Sequence, residues 1–259
     1  MADLEYTVKD GIGTILLNRP HRKNAFTLDM LDAWAEALRS ARLDPEVRVV
    51  LVTGADGSFC AGVDLDDFAE ITSTLGRQEV LQNRVHRVAA AATELDKPLV
   101  AAVDGVAVGA GMDMALACDI RLASTRARFS EAYVRVGLIP GDGGAHLLPR
   151  IVGQARALEL LWTGRFVEAP EALDLGIVLS VHTPEELPLA VGDLCRRLAD
   201  GPPVAIRAIK RLVRNGERVD FMTSLSMVAA EQAVVQSTQD SAEAIAAFRE
   251  KRTPTFIGA

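Results

Sequence analysis

Two apolar runs that each end in glycine and open into a loop constrain this 259-residue chain more than any other feature. Val49 to Gly54 leads into Ser58-Phe59-Cys60-Ala61-Gly62-Val63-Asp64-Leu65, and Leu99 to Val103 leads into Gly105-Val106-Ala107-Val108-Gly109-Ala110-Gly111-Met112-Asp113. Short runs rich in valine and leucine, bounded by turn residues, read as buried strands. Glycine at their ends leaves backbone N–H groups open to a ligand. Two such groups aimed at one point make an oxyanion hole, which stabilises charge building on a carbonyl oxygen. Either stretch alone reads as an ordinary strand-to-helix turn; the pair, with its flanking residues, carries the reading.

Around these runs the chain alternates strand and helix and then turns to helix alone. Gly13 to Asn18 and Val47 to Thr53 are expected strands, separated by a helix over Thr27 to Leu43. Its apolar residues recur at Leu28, Leu31, Trp34, Ala35 and Leu38, and Thr27 suits the N-cap. A helix over Gln78 to Leu95 is ended by Asp96-Lys97-Pro98. The spacing then predicts a strand over Leu99 to Val103, a short helix over Gly109 to Cys118, and strands over Asp119 to Ala123 and Ile177 to Val181. From Pro184 only helices follow: Pro184 to Ala199, Pro202 to Asn215, Val219 to Gln236 and Ala242 to Arg249. Gly201-Pro202-Pro203 marks a boundary between a core over 1–200 and a helical region over 201–259. Phe221, Met222, Leu225, Met227, Val228, Val234 and Val235 exceed what a lone bundle needs, so that region is expected to cover a neighbouring subunit.

Hydrophobic residues at 49% are enough for a real core, and a net charge of −7 with no basic block argues against nucleic-acid binding. The acidic start, Met1 to Glu5, lacks the layout of a signal peptide. Asp104, Asp113 and Asp119, with Gly105, Gly109 and Gly111, interrupt the apolar stretch from Pro98 to Ile120, so it is not a membrane span. Cys60, Cys118 and Cys195 form no pair motif and suit a reducing cytoplasm. His21, His86, His146 and His182 are scattered, and no metal site is expected. Neither a dinucleotide-binding turn nor a P-loop follows the glycines.

Taken in order, the motifs resemble the crotonase superfamily, the enoyl-CoA hydratase/isomerase family. They are Asn18-Arg19-Pro20 with Asn24-Ala25; Val49 to Gly54; Phe59 to Leu65; Lys97-Pro98; the glycine-rich helix entry; Cys118 to Ala123; Gly137-Leu138-Ile139-Pro140 with Gly143-Gly144; Ala169 to Gly176; and Lys251 to Phe256. The resemblance runs almost end to end. It implies an α/β fold built as a spiral of ββα turns, a C-terminal helical region packing across subunits, and trimers or dimers of trimers. It also implies a coenzyme A thioester as substrate, with no permanently bound cofactor. The thioester oxygen would be held by the backbone N–H groups of Ala61 and Ala110. Arg22, Lys23 and Ala25 would meet the CoA end, with Lys251 and Phe256 reaching across from a neighbour.

At the catalytic positions the chain departs from the family pattern. Hydratases of the family place two glutamates around the substrate; here these positions hold Asp113 and Tyr133. Tyrosine, with a reference pKa of about 10, is a poor base at neutral pH. Other relatives carry an aspartate just after the Gly137-Leu138 segment, where Gly141 fills the equivalent position and Asp142 is its neighbour. Asp142 is either a replacement acid–base group or a cap for the helix near Gly143. Asp64 reads as an N-cap, Glu131 as a solvent-exposed side chain and weaker catalytic candidate, and His86 as a surface or packing residue. The expected activity is isomerisation or hydration of an enoyl-CoA double bond through a stabilised thioester enolate. The alternatives are a non-catalytic acyl-CoA-binding homologue, or thioester hydrolysis or carbon–carbon cleavage.

Overall fold

A computed structural model describes residues 2–69 and 73–259, so Met1 lies outside the described residues. The chain begins with a hairpin. Strands β1 (Leu4–Lys9) and β2 (Ile12–Leu17) pair antiparallel about Asp10-Gly11, both of positive φ. Asp-Gly is a preferred two-residue hairpin turn; that pair was the available signal for β1, which the strand-run reading passed over. Helix α1 (Leu28–Leu43) follows, and Thr27 caps it by accepting the Met30 N–H at 3.2 Å. Leu31, Trp34, Ala35 and Leu38 are buried on its inner face, as their spacing predicts.

Strands β3 (Val49–Gly54), β4 (Leu99–Val103), β6 (Ile120–Ser124) and β9 (Ser180–His182) complete a six-stranded sheet of order β1-β2-β3-β4-β6-β9, parallel from β2 onward. Fully parallel pairs need both faces covered. Helix α1 lies in one core with Ile15, Val50 and Ala101, whereas Val49, Val100 and Leu122 pack on α9 (Leu187–Ala199) in another. Thr53 of β3 pairs with Ala102 of β4, so the two glycine-ended loops leave the sheet side by side. A smaller sheet of β5 (Val106–Val108), β7 (Arg128–Ser130) and β8 (Val167–Glu168) crosses beyond that end. These three short strands were not visible as apolar runs.

Between them lie α2 (Leu65–Ala69), α3 (Thr74–Val80), a wider turn over Leu81–Val85, α4 (His86–Glu94), α5 (Ala110–Leu116), α6 (Gly144–Val152), α7 (Gln154–Thr163) and α8 (Ala169–Asp174). The helix expected from Gln78 therefore starts a turn earlier, where Ser73 caps it. The last strand is also displaced from the expected Ile177 to Val181. Ile177 and Val178 are buried, but both donate their N–H groups back to the Ala172 carbonyl in the turn after α8. An apolar tight turn and a buried strand look alike in sequence.

Helices α10 (Pro203–Gly216), α11 (Phe221–Gln236) and α12 (Gln239–Glu250) form the C-terminal region. Lys210 and Arg214 of α10 pair with Asp119 at 2.6 and 2.8 Å, anchoring that helix to the core. Helix α11 buries no side chain and exposes Phe221, Met222, Leu225 and Val234. Among the described residues no helix is long and apolar enough to cross a membrane.

Candidate active site

The site grows from the paired strand ends. Asn24, fully buried, donates from Nδ2 to the carbonyls of Ala55 and Ser58 at 3.0 and 2.7 Å and accepts the Arg19 N–H at 2.8 Å. Arg19 pairs with Asp64 at 2.7 Å, and Asp64 accepts the Asp66 N–H at the start of α2, matching its expected capping role. The Asn18-Arg19-Pro20 motif thus holds the first loop to the second segment of chain. Cys60 extends β5 as a bridge to Ala107. Its thiol is pushed up to about 12, chiefly by burial, and is no nucleophile at neutral pH.

The second loop is clamped at both ends of α5. Gly109 donates its N–H to the Ser130 carbonyl at 2.7 Å. At the far end buried Arg121 donates to the Cys118 carbonyl at 2.6 Å and toward those of Ala115 and Leu116, where a cation suits the helix C-terminus. At the near end Ala110 opens the helix, where first-turn N–H groups lack intrahelical partners.

Gly62 (φ +96°) brings the first loop against this helix start. A Cβ at Gly62 would stand 2.8 Å from the Val108 carbonyl and 3.6 Å from the Ala110 nitrogen. Ala61 is one of the two donors that the resemblance implies. The Ala61 N–H is engaged, donating to the Lys23 carbonyl at 3.0 Å. Phe26 bonds to the carbonyl of Gly62 and to the N–H of Asp64 as a parallel bridge to Val63. Val63 therefore turns its own N–H away from Phe26, and that N–H has no acceptor among the described residues. Of these two amides, that of Val63 and not that of Ala61 is left without an acceptor among the described residues. Sequence reasoning missed it because only the bridge to Phe26 tells which amide of the loop is free.

Beyond the helix entry three carboxyl groups and a phenol converge. Asp113 (0% exposed), Glu131 (1%) and Asp142 (4%) are all buried. The Tyr133 hydroxyl lies 2.7 Å from Asp113 Oδ2 and 2.5 Å from Asp142 Oδ2, and the Asp142 N–H donates to Asp113 Oδ2 at 3.3 Å. Asp142 thus faces the cluster and does not cap α6, whose N-cap is Gly143. Burial above all raises the Asp142 carboxyl to about 6, with the charge of Asp113 adding to it and the Tyr133 hydrogen bond opposing it. Burial likewise raises Asp113, against hydrogen bonds led by that from Tyr133. Burial and the two neighbouring aspartates push Tyr133 upward, so it keeps its proton.

Glu131 is not the exposed side chain expected: it follows directly on buried Ser130 at the end of β7, and its own side chain is buried near Asp113 and Gly144. His86 is exposed but not idle. Its Nε2 lies 2.9 Å from the Gly141 carbonyl and donates to it, tying α4 to the loop that carries Asp142. Arg22, Lys23 and Ala25 lie on the segment leading to Phe26. Arg22 pairs with Asp66 at 3.0 Å, and the Ala25 carbonyl accepts from Arg19. Lys251 and Phe256 are not brought to this cluster: Phe256 lies in a cleft with Asp10, Gly11, Pro45 and Arg48, at the opposite end of the strands. Among the described residues no group of acidic, histidine or cysteine side chains is arranged to hold a metal.

This arrangement has counterparts among known proteins. The family model for enoyl-CoA hydratase/isomerase matches residues 7–259. The chain is 36% identical over 247 residues to the short-chain-enoyl-CoA hydratase of Clostridium acetobutylicum, with 94% of each chain covered. It is also 36% identical over 258 residues to the 1,2-epoxyphenylacetyl-CoA isomerase of Escherichia coli, with 97% of each covered. A crystal structure of enoyl-CoA hydratase from Bacillus anthracis superposes with a TM-score of 0.95 at 32% identity, covering all of both chains. From the hairpin to the C-terminal helices, the chain belongs to the enoyl-CoA hydratase/isomerase family, the crotonase fold.

Proposed function

We propose that this protein hydrates or isomerises the double bond of an enoyl-CoA thioester. The observation that carries this reading is the convergence of Asp113 and Asp142 on one Tyr133 hydroxyl, just past the Ala110 helix entry. The thioester oxygen takes the N–H groups of Ala110 and Val63, which stabilise the enolate as charge develops. Asp142, titrating at about 6, is suited to exchange a proton with the substrate near neutral pH. In hydration, Asp113 accepts a proton from water as its oxygen bonds to the β-carbon, and Asp142 delivers a proton to the α-carbon. In isomerisation, Asp142 removes a proton from one carbon and returns it to another. Tyr133 stays protonated and orients the two carboxyl groups.

Coenzyme A enters as part of the substrate, with Arg22, Lys23 and Ala25 at its end of the site. The exposed apolar face of α11 supports packing of the 201–259 region across subunits in a homotrimer or a dimer of trimers. Lys251 and Phe256 then serve the site of another copy. Three unpaired, buried cysteines support a cytoplasmic setting.

A panel of 2-enoyl- and 3-enoyl-CoA thioesters with product analysis tests the reading. Turnover abolished by Asp142→Asn or Asp113→Asn supports it. Tight thioester binding without turnover on any substrate would replace it with a non-catalytic acyl-CoA-binding role. Released free coenzyme A, or a shortened acyl chain, would instead mark a hydrolase or a carbon–carbon lyase.

A further inference from the structure

Glu131 takes no part in the steps above, yet it is buried at the centre of the cluster. It follows Ser130, whose carbonyl accepts the Gly109 N–H and whose Oγ donates to the Gly164 carbonyl, each at 2.7 Å. The residue is thereby pinned beside the start of α5. Neither Oε1 nor Oε2 has a hydrogen-bond partner among the described residues, and the same holds for Asp113 Oδ1. Two of these orphan oxygens, Asp113 Oδ1 and Glu131 Oε1, converge on one place. A methyl group on Gly144 would stand 2.1 Å from Asp113 Oδ1 and 2.9 Å from Glu131 Oε1. Two ionised carboxylates do not share so dry a site, because like charges there repel strongly. A single proton between Glu131 Oε1 and Asp113 Oδ1 supplies the missing partner of those two oxygens.

We propose that Glu131 is a positioning residue: a neutral carboxylic acid that donates its proton to Asp113 Oδ1, fixing Asp113 as a carboxylate with Oδ2 turned toward Tyr133 and Asp142. This rests on the reading of Asp113 as a catalytic base. The other titratable groups acting on Glu131 are Asp113 and Asp142, both acidic, and no cation offsets them. Burial and the charge of Asp113 push Glu131 up to about 10, so it keeps its proton across the neutral range. Its acid form is therefore a built-in donor to Asp113, beside the backbone N–H groups that also act on that carboxyl.

Difference infrared spectroscopy of wild type against Glu131→Gln at about pH 8 reads the proton directly. A protonated-carboxyl C=O stretch present in wild type and missing from the variant is expected; no such band in wild type overturns the proposal. In kinetics, Glu131→Gln keeps a neutral donor and holds kcat within about threefold of wild type. Glu131→Leu lacks the donor; it lowers kcat by about ten- to a hundredfold with KM unchanged and moves the acid limb of the kcat profile to higher pH. A Glu131→Gln variant as inactive as Asp113→Asn overturns the positioning role, since it would mean that the ionised glutamate does the work. Full turnover by Asp113→Asn is a different failure. It removes the catalytic reading of Asp113 and leaves the infrared result intact.

Discussion

The Tyr133 hydroxyl lies 2.5 Å from Asp142 Oδ2 while also contacting Asp113 Oδ2 at 2.7 Å, so one phenolic proton stands between two aspartate carboxyl groups. A hydroxyl donates only one hydrogen bond, so the second contact is satisfied only when one aspartate carries a proton. Asp142, raised to about 6 chiefly by burial, takes up such a proton as pH falls through that value. The tyrosine in a slot where relatives carry a glutamate therefore does not leave the site short of a carboxylate. Asp142 enters from the neighbouring loop, and Tyr133 becomes the spacer between the pair.

Tyr133→Phe removes that spacer's proton without changing the ring. Asp113 and Asp142 each lose a hydrogen bond to the charged form, so both carboxyl pKa values rise, and the acid limb of the kcat profile moves up in pH whether Asp113 (hydration) or Asp142 (isomerisation) is the base. A hydrogen bond to a charged group contributes about 1.5–3 kcal/mol, so kcat at neutral pH falls by about ten- to a hundredfold. Steady-state kinetics between about pH 5 and 9 check both the depth and the direction of the change.

Asp142 also sets a stability cost. Its folded pKa lies above its unfolded value of 3.8, so the folded state binds the proton more tightly. Stability from this group is complete below pH 3.8 and is lost as pH rises through about 6. A lift of that size corresponds to about 3 kcal/mol. Asp142→Asn, which cannot ionise, is expected to unfold at higher denaturant concentration than wild type at about pH 8, by on the order of 1–3 kcal/mol. The two proteins should converge toward about pH 4, while turnover is lost throughout.

Much of this molecule was legible before its structure. The two glycine-ended strands, the Thr27 cap and the α5 entry follow from periodicity and turn chemistry, because local sequence decides them. The fold as a whole followed from ordered motifs. Strand β5, three residues long and made by pairing with β7, carries no local signal. Asp113, Tyr133 and Asp142 could be singled out in the sequence, but not the cluster their side chains make. The inward turn of Asp142 lies in a loop whose Gly141 carbonyl is bonded by His86, a contact between residues 55 positions apart. Val63 and Glu131 escaped for the same reason: which N–H is free, and which carboxyl is dry, is set by neighbours distant in sequence.

Gly144→Ala tests how tightly the cluster is packed. The added methyl meets Asp113 Oδ1 at 2.1 Å and Glu131 Oε1 at 2.9 Å, so both carboxyl groups must shift. Overpacking of this kind typically costs about 1–3 kcal/mol, and the displaced Asp113 no longer reaches Tyr133. Chemical denaturation should show that loss, and kcat should fall by more than about tenfold with folded protein still recovered.

The proposed donor pair, Val63 and Ala110, is separable by backbone chemistry. Replacing the amide before Val63 by an ester deletes one N–H and keeps the side chain. If that N–H holds the thioester oxygen with Ala110, kcat falls by about a hundredfold or more, in line with the loss of one such donor. The same exchange at Ala61 removes its bond to the Lys23 carbonyl, which joins two loops. There the effect is expected in stability, about 1 kcal/mol by denaturant titration, with kcat much less affected. Equal loss of kcat at both positions would mean that the loop conformation, not the Val63 N–H itself, sets the rate.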